Sequence, residues 1–276
     1  MKAPLFLLLP LFFACKKQDT IPQPEIIRDL AYGTQAKQKL DLYLPANRSS
    51  DTTKLLIFIH GGGWTEGDKA DFNASITEMQ KRIPQLAIAN INYRLAANGQ
   101  NLFPTQEEDV KEAIRFLLER SATYRISKTH AILGASAGAH LSLLQSYKYP
   151  DANNKAVISL FAPTELTSMY NNPINPLIPA LLLSVTGTTP QINSALYKNS
   201  SPITFITPTS TPTLIFQGGT DFVVDPAQAL LLKDALISKN VPYQYVFYPG
   251  EGHGWVGLNL IDTFEKVEQF LRSRLL

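Results

Sequence analysis

Apolar positions along the chain fall into two spacings. Leu55-Leu56-Ile57-Phe58-Ile59 is continuous, as a central parallel strand buried on both faces should be. Similar runs recur at Leu86 to Ile91, Ala131 to Leu133, Ala156 to Leu160, Thr213 to Phe216 and Tyr243 to Phe247. Upstream, alternation at Leu40, Leu42 and Leu44 predicts a half-exposed strand ending at Pro45, and a weaker strand lies near Ile26 and Ile27. These two read as an antiparallel edge. Between the runs lie segments of helical spacing. The clearest carries Val110, Ile114, Leu117 and Leu118, after Pro104-Thr105, with Glu107, Glu108 and Asp109 in its first turns, where acids complement the helix dipole. Alternation of strands with helices predicts an α/β fold, a parallel sheet with helices on both sides.

From about 163 to 208 the rhythm stops. This stretch is rich in Pro, Asn, Thr and Ser, with one apolar piece from Leu177 to Val185, and is expected to be a small lid-like insertion. No repeat or linker divides the remainder, so 25–276 reads as one catalytic domain. Hydrophobic residues at 45% and charged residues at 17% of 276 support a large core. The net charge is +2 and no basic run exceeds Lys16-Lys17, so the clustered basic field that nucleic acid requires is missing.

The N-terminus has its own pattern. Lys2 precedes an apolar run from Ala3 to Phe13 and the small residue Ala14, too short to span a bilayer, which takes roughly 20 apolar residues. Residues 1–14 are therefore expected to be a cleaved export signal. The single cysteine, Cys15, can form no internal disulfide. Leu11-Phe12-Phe13-Ala14-Cys15 resembles the lipobox of bacterial lipoproteins, which implies a lipid on Cys15, a tether over 15–24 and a position in the periplasm or at the cell surface.

Chemistry concentrates in three places. Gly134-Ala135-Ser136-Ala137-Gly138 is a G-x-S-x-G pentapeptide between a predicted strand and a predicted helix, a context that lifts a serine above the sheet. His60-Gly61-Gly62-Gly63-Trp64 follows a buried strand, and its three glycines leave backbone N–H groups unobstructed for a developing oxyanion. A serine nucleophile needs a base. Of the four histidines, His60 braces the glycine loop, His130 lies at the wrong end of its strand, and His140 lies a helical turn after Ser136 in a packing or bracing position. His253 remains, in the glycine-rich loop after the last predicted strand. For the acid, Asp225 precedes Pro226 and reads as a helix N-cap. Asp221 has no such local use and is preferred.

The order Ser136, Asp221, His253 is that of α/β-hydrolases. From about residue 38 onward the chain resembles the bacterial esterase and lipase group with an HGGGW oxyanion motif, near acetylxylan and feruloyl esterases and kynurenine formamidases. Leu42-Tyr43-Leu44-Pro45, Asn92-Tyr93-Arg94-Leu95 and the Ser-Ala-Gly-x-His run at 136–140 carry the same resemblance. It implies that Gly62, Gly63 and Ala137 supply the oxyanion N–H groups. Trp64, Phe222 and Trp255 are candidates to line the substrate pocket. With no His-x-x-x-His pair and no G-x-x-x-x-G-K, neither metal nor cofactor is expected. The expected activity is ester hydrolysis on small-molecule or polysaccharide esters. An arylformamidase or peptidase would use the same triad, and a non-catalytic surface lipoprotein is the reading from another class.

Overall fold

The computed structural model describes residues 21–276. The expected export signal over 1–14, Cys15 and most of the expected tether lie outside the described residues. The last tether residues are fastened to the domain, where Asn47 N–H donates to Pro22 O at 2.9 Å and Arg48 donates to the carbonyl of Gln23.

The first part of the chain contains β1 (Glu25–Ala31), β2 (Lys39–Leu44), β3 (Leu55–Ile59), α1 (Asn73–Arg82), β4 (Ala87–Ile91), α2 (Thr105–Glu119) and α3 (Ser121–Tyr124). Then come β5 (His130–Ala135), α4 (Ala137–Tyr147) and β6 (Asn154–Leu160). The expected insertion holds α5 (Leu166–Asn171), α6 (Ile178–Thr186) and α7 (Ser194–Asn199). The chain closes with β7 (Thr213–Gly218), α8 (Pro226–Ser238), β8 (Tyr243–Tyr248) and α9 (Gly257–Arg274). Among the described residues the strands form one mixed sheet in the order β1-β2-β4-β3-β5-β6-β7-β8. β1 and β2 are antiparallel to their neighbours, and β4 through β8 pair in parallel.

The continuous apolar run of β3 is explained by its two covered faces. Leu55, Ile57 and Ile59 face a core that includes Val110 and Leu117 of α2 and Leu141 and Leu144 of α4. Leu56 and Phe58 face the opposite core, built with Ile76 and Met79 of α1 and with Val267, Phe270 and Leu271 of α9. α8 covers β7 and β8 through Leu232 and Leu236, in a core shared with Ile215 of β7 and Val157 of β6.

Two expectations change. β2 is not half-exposed, since every residue from Leu40 to Leu44 is buried. Its one carboxylate, Asp41, is matched by Arg28 at 2.7 Å and Lys69 at 2.9 Å. The acids of α2 do more than meet a dipole. Asp109 is buried and accepts two N–H groups of the Arg94 guanidinium and the Gln38 amide, while Glu107 is buried against Lys148 and the Tyr149 hydroxyl.

The parallel strands all present their carboxyl ends to one side. The loops after β3, β5, β6, β7 and β8 meet there, as open α/β sheets dictate. The chain enters the sheet at the other side, where Glu25 pairs with Leu44 and Tyr43 pairs with Ile88 near the start of β4.

Candidate active site

Ser136 occupies the turn between β5 and α4 with φ 55° and ψ −122°, a left-handed conformation that a non-glycine residue adopts only under constraint. The constraint is the glycine spacing. A Cβ on Gly138 would stand 2.0 Å from the carbonyl oxygen of Ile59, and one on Gly134 would stand 2.3 Å from Gly138 itself. Only glycines at both positions let α4 begin this close to β3 and β5. Ser136 N–H donates to Leu160 O at 2.9 Å, which fixes the turn against β6.

Ser136 Oγ lies 2.9 Å from His253 Nε2, and His253 Nδ1 lies 2.8 Å from Asp221 Oδ2. A carboxylate only accepts, so Nδ1 carries the proton and Nε2 is left to accept from the serine O–H. Asp221 is 1% exposed. Its Oδ1 takes the N–H groups of Val223 and Val224 at 2.8 and 2.9 Å, and Gln217 donates to Oδ2 at 3.2 Å. The loops carrying the acid and the imidazole are joined, with Thr220 N–H donating to Glu251 O at 2.8 Å and Gly219 N–H to Tyr248 O at 2.9 Å. Asp225 caps α8 by accepting from Ala227 N–H at 2.8 Å and takes no part in this chain of bonds.

The glycine loop lies directly against the serine. A Cβ on Gly61 would fall 3.2 Å from Ser136 Cβ. Gly62 and Gly63 have φ of 99° and 55°, and a side chain on Gly62 would strike Glu66 O at 2.2 Å. Among the described residues no acceptor is bonded to the N–H of Gly62 or Gly63. Ala137 is the first residue of α4, where a helix leaves its N–H groups without intrahelical partners. Gly62 and Gly63 border the cavity together with Ser136, and Ala137 directly follows it. His60 braces this loop. Burial holds its pKa below the ordinary value, its Nδ1–H donates to Gly61 O at 2.8 Å, and its ring stacks on Tyr93 at 4.3 Å.

Ser136 and His253 open into a cavity of about 450 Å³, within the range of small-molecule sites. Gly61 to Glu66 form one side. Phe161, Pro163, Met169, Ile178, Leu181, Val223 and Val224 form the rest. The predicted pocket residues fare differently. Trp64 borders the cavity but is 2% exposed, its indole sunk in the core. Phe222 does not line it, and its side chain is 70% exposed. Val223 and Val224, whose N–H groups Asp221 holds, line the cavity instead. Trp255 also stands back. It packs at 5.4 Å behind Phe161 and donates its indole N–H to Thr263 Oγ1 at 2.8 Å. Phe161, which the sequence reading passed over, has its ring 4.6 Å from that of His253 and a φ of 44°. Its place at the carboxyl end of a buried strand was the available signal.

His130 begins β5 at the end remote from Ser136, buried, with its pKa lowered by that burial. Among the described residues no three His, Cys, Asp or Glu side chains gather as a metal site, and no helix is long and apolar enough to cross a membrane.

Comparison with known proteins agrees with this architecture. The chain is 27% identical over 262 residues to the probable carboxylic ester hydrolase LipM of Mycobacterium tuberculosis, covering 88% of this chain and 60% of that protein. It is 24% identical over 243 residues to esterase LipC of the same organism, covering 83% and 59%. It therefore spans about 60% of the length of these relatives. Among solved structures, the bifunctional GH43-CE protein of Bacteroides eggerthii matches 90% of this chain and 38% of its own, with a TM-score of 0.78 and 25% identity. A truncated carbohydrate esterase from gut microbiota matches 91% and 98%, with a TM-score of 0.74 and 25% identity. The fold, a mixed sheet flanked by helices, is that of α/β-hydrolase esterases. Residues 40–236 match the BD-FAE family, to which this chain belongs.

Proposed function

We propose that the protein is a serine carboxylesterase working through an acyl-enzyme. One observation carries this reading. Ser136, His253 and Asp221 are joined by hydrogen bonds of 2.9 and 2.8 Å, and the serine faces an apolar cavity beside bare backbone N–H groups. Ser136 Oγ attacks the ester carbonyl carbon while His253 Nε2 takes its proton, and Asp221 stabilises the resulting imidazolium. The oxyanion is received by the N–H groups of Gly62, Gly63 and Ala137, each worth about 3–4 kcal/mol where such donors have been removed. The imidazolium then protonates the leaving alcohol. Water, deprotonated by His253, attacks the acyl-serine, releases the acid and restores the hydroxyl.

The curated relatives named as ester hydrolases support an ester substrate. The carbohydrate esterase neighbour from gut microbiota, with the expected export signal, favours acyl groups carried on polysaccharide. If Cys15 bears a lipid, its tether meets the domain at the end of the sheet where β3 and β4 begin, opposite the end that carries Ser136. The test is a rate panel on nitrophenyl acetate, longer nitrophenyl esters, acetylated xylan, a feruloyl ester and N-formylkynurenine, with fluorophosphonate labelling of Ser136. Ester turnover lost by at least about 10⁴-fold in Ser136→Ala is expected. Full activity in that variant, or preference for the formamide, overturns the reading.

A further inference from the structure

One turn after Ser136, α4 carries a second imidazole, and nothing in the acyl-transfer cycle uses it. His140 is completely buried, so it cannot touch an ester in the cavity. Its Nε2 lies 2.7 Å from the carbonyl oxygen of Ser200, which only accepts, so that nitrogen bears the proton. Nδ1 is then an acceptor, and the Trp64 indole N–H donates to it at 3.3 Å. The two rings meet edge-on, with centroids 5.1 Å apart, and Phe103 packs on His140 at 5.6 Å. Burial lowers the His140 pKa to about 4, which keeps the imidazole neutral, and the Ser200 carbonyl fixes the tautomer.

The two partners belong to different parts of the site. Trp64 follows Gly63 directly and holds φ 62°, a conformation that a bulky residue keeps only when its surroundings impose it. Ser200 caps α7 in the same insertion whose α6 supplies Ile178 and Leu181 to the cavity. We infer that His140 is a positioning residue, which anchors on Ser200 and holds the Trp64 indole, and through it the Gly62–Gly63 backbone, in the geometry that receives the oxyanion. This rests on the esterase reading above.

A packing role alone predicts lost stability with catalysis intact, whereas a positioning role predicts a fall in kcat with little change in KM. The experiment compares kcat, KM and melting temperature on nitrophenyl acetate for wild type, His140→Leu, Trp64→Phe, the double variant and His140→Gln. Displacing the donors should lower kcat in His140→Leu on the order of 10–100-fold, with KM within about twofold. Trp64→Phe, which keeps the ring and loses the donor, should fall similarly. The double variant should be no worse than the more affected single, as expected of residues acting through one bond. His140→Gln, whose amide can accept from Trp64 and donate to Ser200, should recover most of the rate. An unchanged kcat in Trp64→Phe, or additive losses in the double variant, overturns the inference, and Trp64→Phe decides alone if His140→Leu does not fold. Absence of ester turnover in the wild type would instead refute the esterase reading.

Discussion

One side of the cavity is made by loops leaving the carboxyl ends of β3, β5, β6, β7 and β8. The other is made by the insertion, through Met169 of α5 and Ile178 and Leu181 of α6. The first side is set largely by backbone. Trp64, Ser136 and Phe161 all hold left-handed φ, at 62°, 55° and 44°, in the loops that follow three neighbouring strands, and such conformations gather where a fold over-determines them. The second side is apolar side chain on short helices, pinned by bonds to distant residues. Thr164 N–H donates to the Gln228 side chain at 2.8 Å, Leu166 N–H donates to Ser201 Oγ at 2.9 Å, and Ser200 O accepts from His140. Within the expected lid-like insertion Tyr197, Ser200 and Ser201 are all buried. On the proposed esterase reading, the backbone side aims the reactive groups and the insertion side measures what fits beside them.

The sharpest way to break this division is at Asp221. In Asp221→Asn the amide can still accept at Oδ1, but its NH₂ would face His253 Nδ1 and drive the proton to Nε2, where it opposes the Ser136 hydroxyl. A loss of about 10³–10⁴-fold in kcat is expected, measured on nitrophenyl acetate with circular dichroism to show an intact fold. Asp225→Asn, four residues away, should stay within about twofold, because it caps a helix and asparagine caps as well. Equal losses in the two would mean that the loop, and not the carboxylate on His253, is what matters.

The same division explains what the sequence disclosed. Backbone-made features leave signatures in residue type. Glycines at 134 and 138 are demanded by contacts that no Cβ could survive, Gly62 by Glu66 O, and Asp225 by the proline that follows it. The insertion side leaves no such mark. Ile178, Leu181 and Met169 are apolar residues that core and cavity use alike, and their placement depends on partners such as Gln228, more than 40 residues on. Phe222 is expected at the pocket, and nothing in residue type singles out Val223 and Val224. Yet it is these two valines, whose N–H groups Asp221 holds, that line the cavity. Glu107 and Asp109 are legible as acids in the first turns of a helix, but Lys148 and Arg94, which justify their burial, lie outside that helix.

His140 sits on the joint between the two sides and gives the next expected effect. Its folded pKa of about 4 lies below the ordinary 6.5, so below pH 6.5 the unfolded chain binds the proton first. The associated stability is present above pH 6.5 and is lost progressively as pH falls toward 4. Full loss is worth about 3–4 kcal/mol by linkage. Buried His60 and His130, also lowered, act in the same direction, and the charge of Lys148 further opposes protonation of His140. Urea unfolding at pH 7, 5.5 and 4 should show the decline, with a shallower slope in His140→Gln. A flat profile would mean that the imidazole is not held neutral by the joint.

The smallest effect concerns the insertion side alone. Leu181 borders the cavity, and its two methyl carbons lie 3.4 and 3.5 Å from where a Cβ on Gly63 would stand, so it fills the space beside the serine on the side opposite the triad loops. Leu181→Ala should therefore admit longer acyl chains without disturbing Ser136. A hydrophobic pocket discriminates by about 1–3 kcal/mol per methylene, so the kcat/KM ratio of octanoyl to acetyl nitrophenyl ester should rise by about tenfold while fluorophosphonate labelling of Ser136 stays near the wild-type rate. If labelling falls instead and the chain-length ratio holds, Leu181 supports the glycine loop and does not gauge the acyl group, and the boundary between the two sides moves to place α6 with the machinery.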